Sequence, residues 1–573
     1  MSQLTEVTTA PEATVAPEAT MAPDELVGPL ERGLAVLRAV AAGPGTRHRP
    51  GDLVRTTGLA RSTVDRVATT LVRLGFLRTE DRDLLLAPRS AELGNAYLAD
   101  CALLEALRPH AVTLADELDE SVSLAVPDGD GVRFIAQAAR RRAMAISFRV
   151  GDLLPAERCA PGAVFAADWD DAQHDQWRAR RRRDPLDTGF PALPPRPAGA
   201  EPTSSAVEAD FLDRVRQARE DGFSMDSQLI EAGLIAVALP VRDSAGAVVC
   251  AVSVVSHTSR HSIESLTARV LPPVRAAVAA MEAALRAPSA TETPATAAAV
   301  RPPHSGSALK EELGADFLQS LARGLDVLCA FGSVDGPARL ADLARLTGLP
   351  RATTRRSLIT LRHLGYVRED ADGFRVLPRV MELGYARLSG LTLAGIATPH
   401  LAELVGRVHE SASLAVLDDD DIRYVARVAS TRIMHIDITV GTRLPAYATS
   451  MGRVLLAALP DGERAARLAR VTPEALTPRT VTAPEALADA VAATARRGHA
   501  WVEQELEEGL RSIAAPVTNG GGHVVAAVNV ALHAGRASGE ESLATLLPPL
   551  LETAARISAD LAAVGRFSPV PTG

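Results

Sequence analysis

Three observations in the 573-residue sequence predict an α+β protein made of two tandem copies of one unit, each a helix-turn-helix head with a β-wing followed by a mixed helix-and-sheet domain. The second half of the chain repeats the first. Each copy contains two short amphipathic helices joined at a glycine and followed by a hairpin pattern. The remainder of each copy mixes helices with strands that alternate in polarity around Asp/Gly/Asn turns.

The repeat is read first, because it sets the domain count. Thr57-Gly-Leu-Ala-Arg-Ser-Thr63 matches Thr347-Gly-Leu-Pro-Arg-Ala-Thr353, 290 positions on. The offset holds through Leu74-Gly75 against Leu364-Gly365, Glu92-Leu93-Gly94 against Glu382-Leu383-Gly384, and Val150-Gly151 against Val440-Gly441. Past residue 167 it drops to 276, as in Glu231 against Glu507, so copy 1 carries 14 extra residues near Arg178–Pro202. That excess contains the run Arg180–Arg183, which reads as a solvated loop or as an extra phosphate contact. The expected organisation is a disordered tail (1–25), a winged helix-turn-helix (26–90) and its sensor domain (91–286), a flexible linker (287–316), a second winged helix-turn-helix (317–378) and a second sensor domain (379–565).

The elements of copy 2 follow in order. Leu318, Leu321, Leu325 and Leu328 recur at helical spacing. Leu340–Thr347 is a second helix, stopped by Gly348, and Pro350 suits the start of a third, which runs to about Leu364. Tyr366–Val376 reads as a two-stranded wing turning at Asp372-Gly373. Arg379–Ser389 is expected to be a linker helix, with another helix near Pro399. Ser411–Leu417 and Ile422–Val428 are strands around Asp418–Asp421, four acids that suit a hairpin turn better than a calcium loop. Asp437–Val440 is expected as a strand, and Met451–Leu459 and Ala488–Arg497 as helices. Ser512–Val517 and Val524–Leu532 form a hairpin around Asn519–Gly522.

Two short helices joined at a tight glycine turn place the second helix in a DNA major groove. In copy 2 its polar side carries Arg351, Thr353, Arg355 and Arg356, and residues 345–368 hold six arginines and no acid in a chain of net charge −9. Guanidinium groups there can pair with guanine edges or phosphates. Copy 1 presents Arg61, Ser62, Thr63 and Arg66, with Asp65 in place of Arg355, so it reads as a weaker or differently specific reader.

Other functions find less support. The four cysteines (101, 159, 250, 329) form no closely spaced pair, His257 and His261 sit at a strand-to-loop end, and no metal site or cofactor is expected. No nucleophile–base set or phosphate-binding glycine loop suggests an enzyme. No basic residue precedes Arg32, and the most apolar stretch, Leu234–Val255, is broken by Pro240, Arg242, Asp243 and Gly246. The expectation is therefore a cytoplasmic protein without a membrane segment.

At this point the residues resemble a known family. Phe317-Leu-Gln-Ser-Leu-Ala-Arg-Gly324, Val440-Gly-Thr-Arg-Leu-Pro-Ala-Tyr-Ala-Thr-Ser-Met-Gly-Arg453 and Gln504-Glu-Leu-Glu-Glu-Gly-Leu-Arg-Ser-Ile-Ala514 resemble the isocitrate lyase regulator (IclR) family of transcriptional regulators. They are closest to its branch controlling protocatechuate and 4-hydroxybenzoate catabolism. The resemblance covers almost all of 317–563 and, more loosely, 28–286. It implies a GAF-like effector domain after each winged helix. By that resemblance the effector is lined in copy 2 by Thr449, Ser450, Met451, Gly452, Leu510, Ser512, Asn529 and Ala531, with Arg443 or Arg511 to neutralise a carboxylate or else to form a surface ion pair. Copy 1 has Leu153, Ala160, Ile235 and Ala236 where copy 2 has Arg443, Ser450, Arg511 and Ser512, which argues against the same anionic ligand.

The reading is a DNA-binding regulator of double-stranded promoter DNA, controlled by a small aromatic or related carboxylate. The alternative is a ligand-binding or scaffold protein in which copy 1 no longer binds DNA or effector. The chain is expected to form a homo-oligomer or an intramolecular pseudo-dimer. Within the expected linker the low-complexity stretch 287–308, ~22 residues, reaches ~25 Å on average and, stretched, can bridge half-sites ~34 Å apart.

Overall fold

The computed structural model of the chain describes residues 26–43, 45–140, 148–194, 204–287, 314–334, 336–430, 438–535 and 538–572. The expected tail (1–25) and residues 288–313 of the expected linker lie outside the described residues.

In the second head, helix Gln319–Ala330 buries Leu321, Leu325 and Leu328. Helix Leu340–Thr347 stops where Gly348 takes φ +66°, a left-handed turn that a side chain would strain. Pro350 caps the reading helix Arg351–His363, whose inner face buries Leu358 and Leu361. Strands Val367–Asp370 and Gly373–Val376 pair antiparallel as the wing. The first head repeats this with helices Gly28–Ala42, Pro50–Thr57 and Arg61–Arg73 and wing strands Leu77–Glu80 and Asp83–Leu86.

Each sensor domain is a six-stranded antiparallel sheet. In sensor 2 the order across the sheet is Arg443–Pro445, Asp421–Val428, Ser411–Asp418, Val524–His533, Leu510–Thr518, Ala500–Glu503. Side chains alternate between the two faces. Leu414, Ile513, Ala515 and Val528 pack in the core shared with helices Leu393–Val408 and Gly539–Val564. Ala415, Tyr424, Ala514 and Ala527 pack with helices Ser450–Ala457 and Pro484–Arg497. Sensor 1 has the same strand order.

The structure departs from expectation at several elements. The linker helix over Arg379–Ser389 is broken: a 3₁₀ turn at Pro378–Leu383 and a single turn at Tyr385–Leu388 flank Gly384, whose φ of +124° no helix can hold. Of the expected strand Asp437–Val440, Asp437 lies outside the described residues and the rest is irregular. The edge strand forms at Arg443–Pro445 instead, beyond Gly441 at φ +93°. The four acids at Asp418–Asp421 do make a hairpin turn, and their carboxylates meet arginines: Asp418 and Asp421 pair with Arg443, and Asp420 with Arg470.

The arginine run of copy 1 is neither a solvated loop nor a free cationic patch throughout. It ends helix Asp171–Arg183, and Arg180 donates to Glu157 and Asp130 at 2.7 Å and to Asp187 at 3.1 Å. Arg181 lies 3.4 Å from Glu157, which also accepts from the Trp177 indole at 3.0 Å. Glu157 is 2% exposed, so this convergence of donors is what makes its burial tolerable. Arg182 and Arg183 are exposed.

The two copies pack on each other through their heads. A Cβ on Gly33 would fall 2.2 Å from Leu321, and one on Gly324 2.5 Å from Leu30, so each first helix inserts a leucine where the other has no side chain. The Val27 N–H donates to Thr360 Oγ1 at 2.9 Å and the Leu318 N–H to Thr70 Oγ1 at 3.1 Å, a matched pair of bonds around a pseudo-twofold axis. Arg387 of copy 2 donates to the carbonyls of Ala41, Gly43 and Gly45, closing the C-terminal end of the first helix of head 1. Arg566, beyond the last helix, donates at 3.0 Å to Gly332, just past the corresponding helix of head 2.

Candidate nucleic-acid interface and effector pocket

Each reading helix is an amphipathic rod with its buried side fixed by the head core. Arg351, Arg355 and Arg356 are exposed and Thr353 is half-buried. Among the described residues no carboxylate pairs with these three arginines. The same frame in head 1 exposes Arg61, Ser62 and Arg66, with Thr63 half-buried, but here acids intervene. The Arg61 Nε lies 3.1 Å from both carboxylate oxygens of Asp65, one turn on. Arg66 lies 4.0 Å from Asp316, where the chain enters copy 2. The two heads share a shape and differ in the cation each can offer a phosphate or guanine.

The second site is a small cavity between the sheet of sensor 2 and the N-terminal end of helix Ser450–Ala457. Thr449, Ser450, Met451, Leu510, Ser512, Asn529 and Ala531 line it, joined by Ser413, Tyr424, Arg427, Ile438, Ala448, Val502 and Leu506. Thr449 caps the helix by accepting from the Gly452 N–H at 3.0 Å. Gly452 does not line the cavity. A Cβ there would come within 2.0 Å of the Ala446 carbonyl, so glycine is what lets the helix start against the preceding turn.

The polar groups of the cavity lie on adjacent rungs of the sheet. Arg427 is opposite Ser413, which is opposite Asn529. On the next rung Ala531 pairs with Ser512, and Ser512 with Val502. Arg427 reaches Ser413 Oγ at 3.5 Å. Ser450 and Asn529 are 1% and 4% exposed, and among the described residues Ser450 Oγ and Asn529 Oδ1 have no hydrogen-bond partner. Such groups carry a desolvation cost that a ligand hydroxyl or carboxyl would relieve. Burial pushes the Tyr424 phenol up to about 12 against the pull of Arg427, so it remains neutral at physiological pH.

The two arginines suggested by resemblance sit elsewhere. Arg443 lies on the edge strand, donating to Asp418 at 2.8 Å and Asp421 at 3.2 Å. Arg511 neighbours Ser512 on its strand, so alternation turns it to the opposite face, where it donates to Glu503 at 2.8 Å and holds that carboxyl below its usual range. Arg443 makes an exposed ion pair, and Arg511 a largely buried one on the face away from the cavity. The cationic group at the cavity is Arg427. Simple alternation would put Tyr424 and Arg427, three apart, on opposite faces. A β-bulge shifts the register between Leu414 and Ala415, skips Val425 and brings both to the cavity. The sequence carries no local mark of that bulge.

In sensor 1 other side chains stand at the corresponding positions. Phe134 and Phe148 stand where copy 2 has Tyr424 and Ile438, stacked with ring centroids 4.3 Å apart. Gln137 replaces Arg427, and with its amide turned it pairs with the backbone of Phe148. Arg158 replaces Ala448 and donates to the carbonyls of Leu229 and Ile230 at 3.1 and 3.0 Å. Ala192 and Leu193, from the extra segment of copy 1, pack against the same apolar cluster.

Two winged heads and two sensor domains, with a small polar cavity in the second, define a ligand-responsive transcriptional regulator of the winged-helix class. The family model for the bacterial transcriptional regulator IclR C-terminal domain matches residues 95–187, 200–283 and 385–559, and that for the IclR helix-turn-helix domain matches 29–81 and 320–371. The chain belongs to the IclR family. The Pca regulon regulatory protein of Pseudomonas putida is 44% identical over 237 residues, 41% of this chain and 81% of that protein. The p-hydroxybenzoate hydroxylase transcriptional activator of Acinetobacter baylyi is 32% identical over 257 residues, 44% of this chain and 94% of its own. A solved IclR homologue from Microbacterium hydrocarbonoxydans in complex with 4-hydroxybenzoate is 29% identical, covering 43% of this chain and 99% of its own, with a TM-score of 0.28. Each relative spans less than half of the chain, as a duplicated unit requires.

Proposed function

We propose that this regulator senses a small aromatic carboxylate through sensor 2 alone and acts on promoter DNA in the cytoplasm, with no catalytic step of its own. The observation that carries the reading is the cavity of sensor 2, lined together by Arg427 and by the buried Ser450 Oγ and Asn529 Oδ1, which among the described residues have no partner. A planar acid with a ring hydroxyl would give Arg427 a carboxylate and the two buried groups a partner, while Met451, Ile438 and Leu510 cover the ring. The names of the Pseudomonas and Acinetobacter relatives, both tied to aromatic-acid catabolism, support this chemistry. The packed interior of sensor 1 supports its silence. On the DNA side, Arg351, Thr353, Arg355 and Arg356 read one half-site and Arg61, Ser62, Thr63 and Arg66 the other.

Calorimetry of the full chain with 4-hydroxybenzoate tests the sensor reading. One molecule should bind per chain, and Ser450→Ala with Asn529→Leu should abolish the signal. Binding of two molecules per chain, or of none among benzoate, 4-hydroxybenzoate and 3,4-dihydroxybenzoate, would overturn it.

A further inference from the structure

The pairing of the heads within one chain bears on the DNA this regulator fits. We propose that a single chain is a complete two-headed reader of an asymmetric operator, with a strong half-site under head 2 and a divergent, weaker one under head 1. The inference rests on the DNA-binding reading and adds to it the number of chains and the symmetry of the site.

The first argument is steric. The first helices of the two heads meet through a self-complementary contact, Leu30 in the notch at Gly324 and Leu321 in the notch at Gly33. Leu30 and Leu321 are both fully buried. A face of this kind accepts one partner, and in this chain the partner is the other copy. Further ties cross between copies. Asn95 donates to the Ala563 carbonyl at 2.7 Å, Arg108 to that of Phe567 at 3.0 Å, and Arg387 closes the first helix of head 1. Tyr385 packs where Gly94 has no side chain. Tethering makes these interactions intramolecular, which favours them over the same interactions made between chains.

The second argument is electrostatic. Paired helix-turn-helix heads read two half-sites about one helical turn apart, and identical heads read identical half-sites. These heads are not identical. Asp65 holds Arg61 in an ion pair along the reading helix, and Asp316 stands by Arg66. Head 2 has Arg355 in place of Asp65. The copy-to-copy connection itself thus brings an acid to the reading side of head 1. Head 2 therefore carries more of the phosphate-dependent affinity, which falls with salt in proportion to the phosphates neutralised.

The test selects duplexes from a random pool with the full-length chain, then measures stoichiometry by native mass spectrometry and protection by footprinting. The expected result is one chain per duplex on a non-palindromic site with two unlike protected half-sites. Arg355→Ala should erase protection at one half-site and cost roughly tenfold in affinity, the scale of a single arginine–guanine pairing. Asp65→Arg should instead strengthen the other half-site by about tenfold, since it removes an acid and supplies a cation. Two chains on a palindrome, or equal effects of the Asp65 and Arg355 variants on both half-sites, would overturn the proposal while leaving DNA binding intact. Failure to enrich any duplex would overturn the DNA-binding reading itself.

Discussion

Arg427→Gln is the most informative single change in sensor 2, because the chain already carries that residue at the same place in sensor 1. Gln137 occupies the corresponding position in an intact sheet, so the substitution is compatible with the fold. What it removes is a half-buried guanidinium that reaches Ser413 and lines the same cavity as Ser450 and Asn529. A neutral amide then stands where a charge-assisted, two-pronged hydrogen bond to a carboxylate would form. Truncating one partner of such a pair costs about 2–5 kcal/mol; with Arg427 only partly buried, a value near 3 kcal/mol applies, or about 150-fold in Kd. The assay is calorimetry of the full chain with 4-hydroxybenzoate and, in parallel, with 4-hydroxybenzyl alcohol, which has the ring and hydroxyl but no charge. Binding of the acid should weaken by about two orders of magnitude and that of the alcohol little. Equal weakening for both ligands would mean that the variant had disturbed the cavity, and no weakening for either would remove Arg427 from the effector site.

Gly452→Ala forces a Cβ to within 2.0 Å of the Ala446 carbonyl; both atoms belong to backbone-fixed elements, so thermal unfolding should show destabilisation by about 1–3 kcal/mol together with weakened effector binding. Arg355→Ala with Arg356→Ala should lower operator affinity and reduce the slope of log K against log salt by about one for each phosphate that is no longer neutralised, with the melting temperature unchanged; an unaltered salt series would exclude the helix from the interface. Burial at the junction between copies pushes the Asp326 carboxyl up to about 6, with Arg89 opposing and Glu92 adding to the shift. A raised acid destabilises the folded state as pH climbs from its ordinary value near 4 through 6. Asp326→Asn should therefore gain up to about 3 kcal/mol above pH 6, and the gain should vanish below pH 4; a pH-independent difference would contradict this account.

Much of the architecture was legible locally. The three helices of each head announce themselves through leucine spacing, a glycine stop and a proline start, and all of these act within a few residues along the chain. The repeat then carried the fold of copy 2 over to copy 1, and strand alternation marked the central hairpins of each sheet. Helix Asp461–Arg470 went unread because its apolar side carries a single large residue, Leu468, which packs only partly buried against the core of sensor 2. The linker helix failed for the opposite reason: its pattern was helical, but Gly384 turns sharply beside Leu86 of the other copy.

The site shows where sequence ends. Residue identities placed Thr449, Ser450, Ser512 and Asn529 together through resemblance, but the cation was sought at Arg443 and Arg511. Arg427 joins the cavity only because a bulge between paired strands shifts its parity, and a bulge is a property of two strands in register rather than of either sequence. The acidic partners of Arg443 and Arg511 likewise lie across a turn and across a strand pair. The sequence by itself determined that there are two heads, two sensors and an unequal charge on the two reading helices. Only the tertiary structure decided that Leu30 and Leu321 seat in each other's glycine notches, that Phe148 stacks on Phe134 and Arg158 ties to Leu229 and Ile230 in sensor 1, and that Arg427 lines the cavity of sensor 2, since each depends on residues brought together from separate elements of the chain.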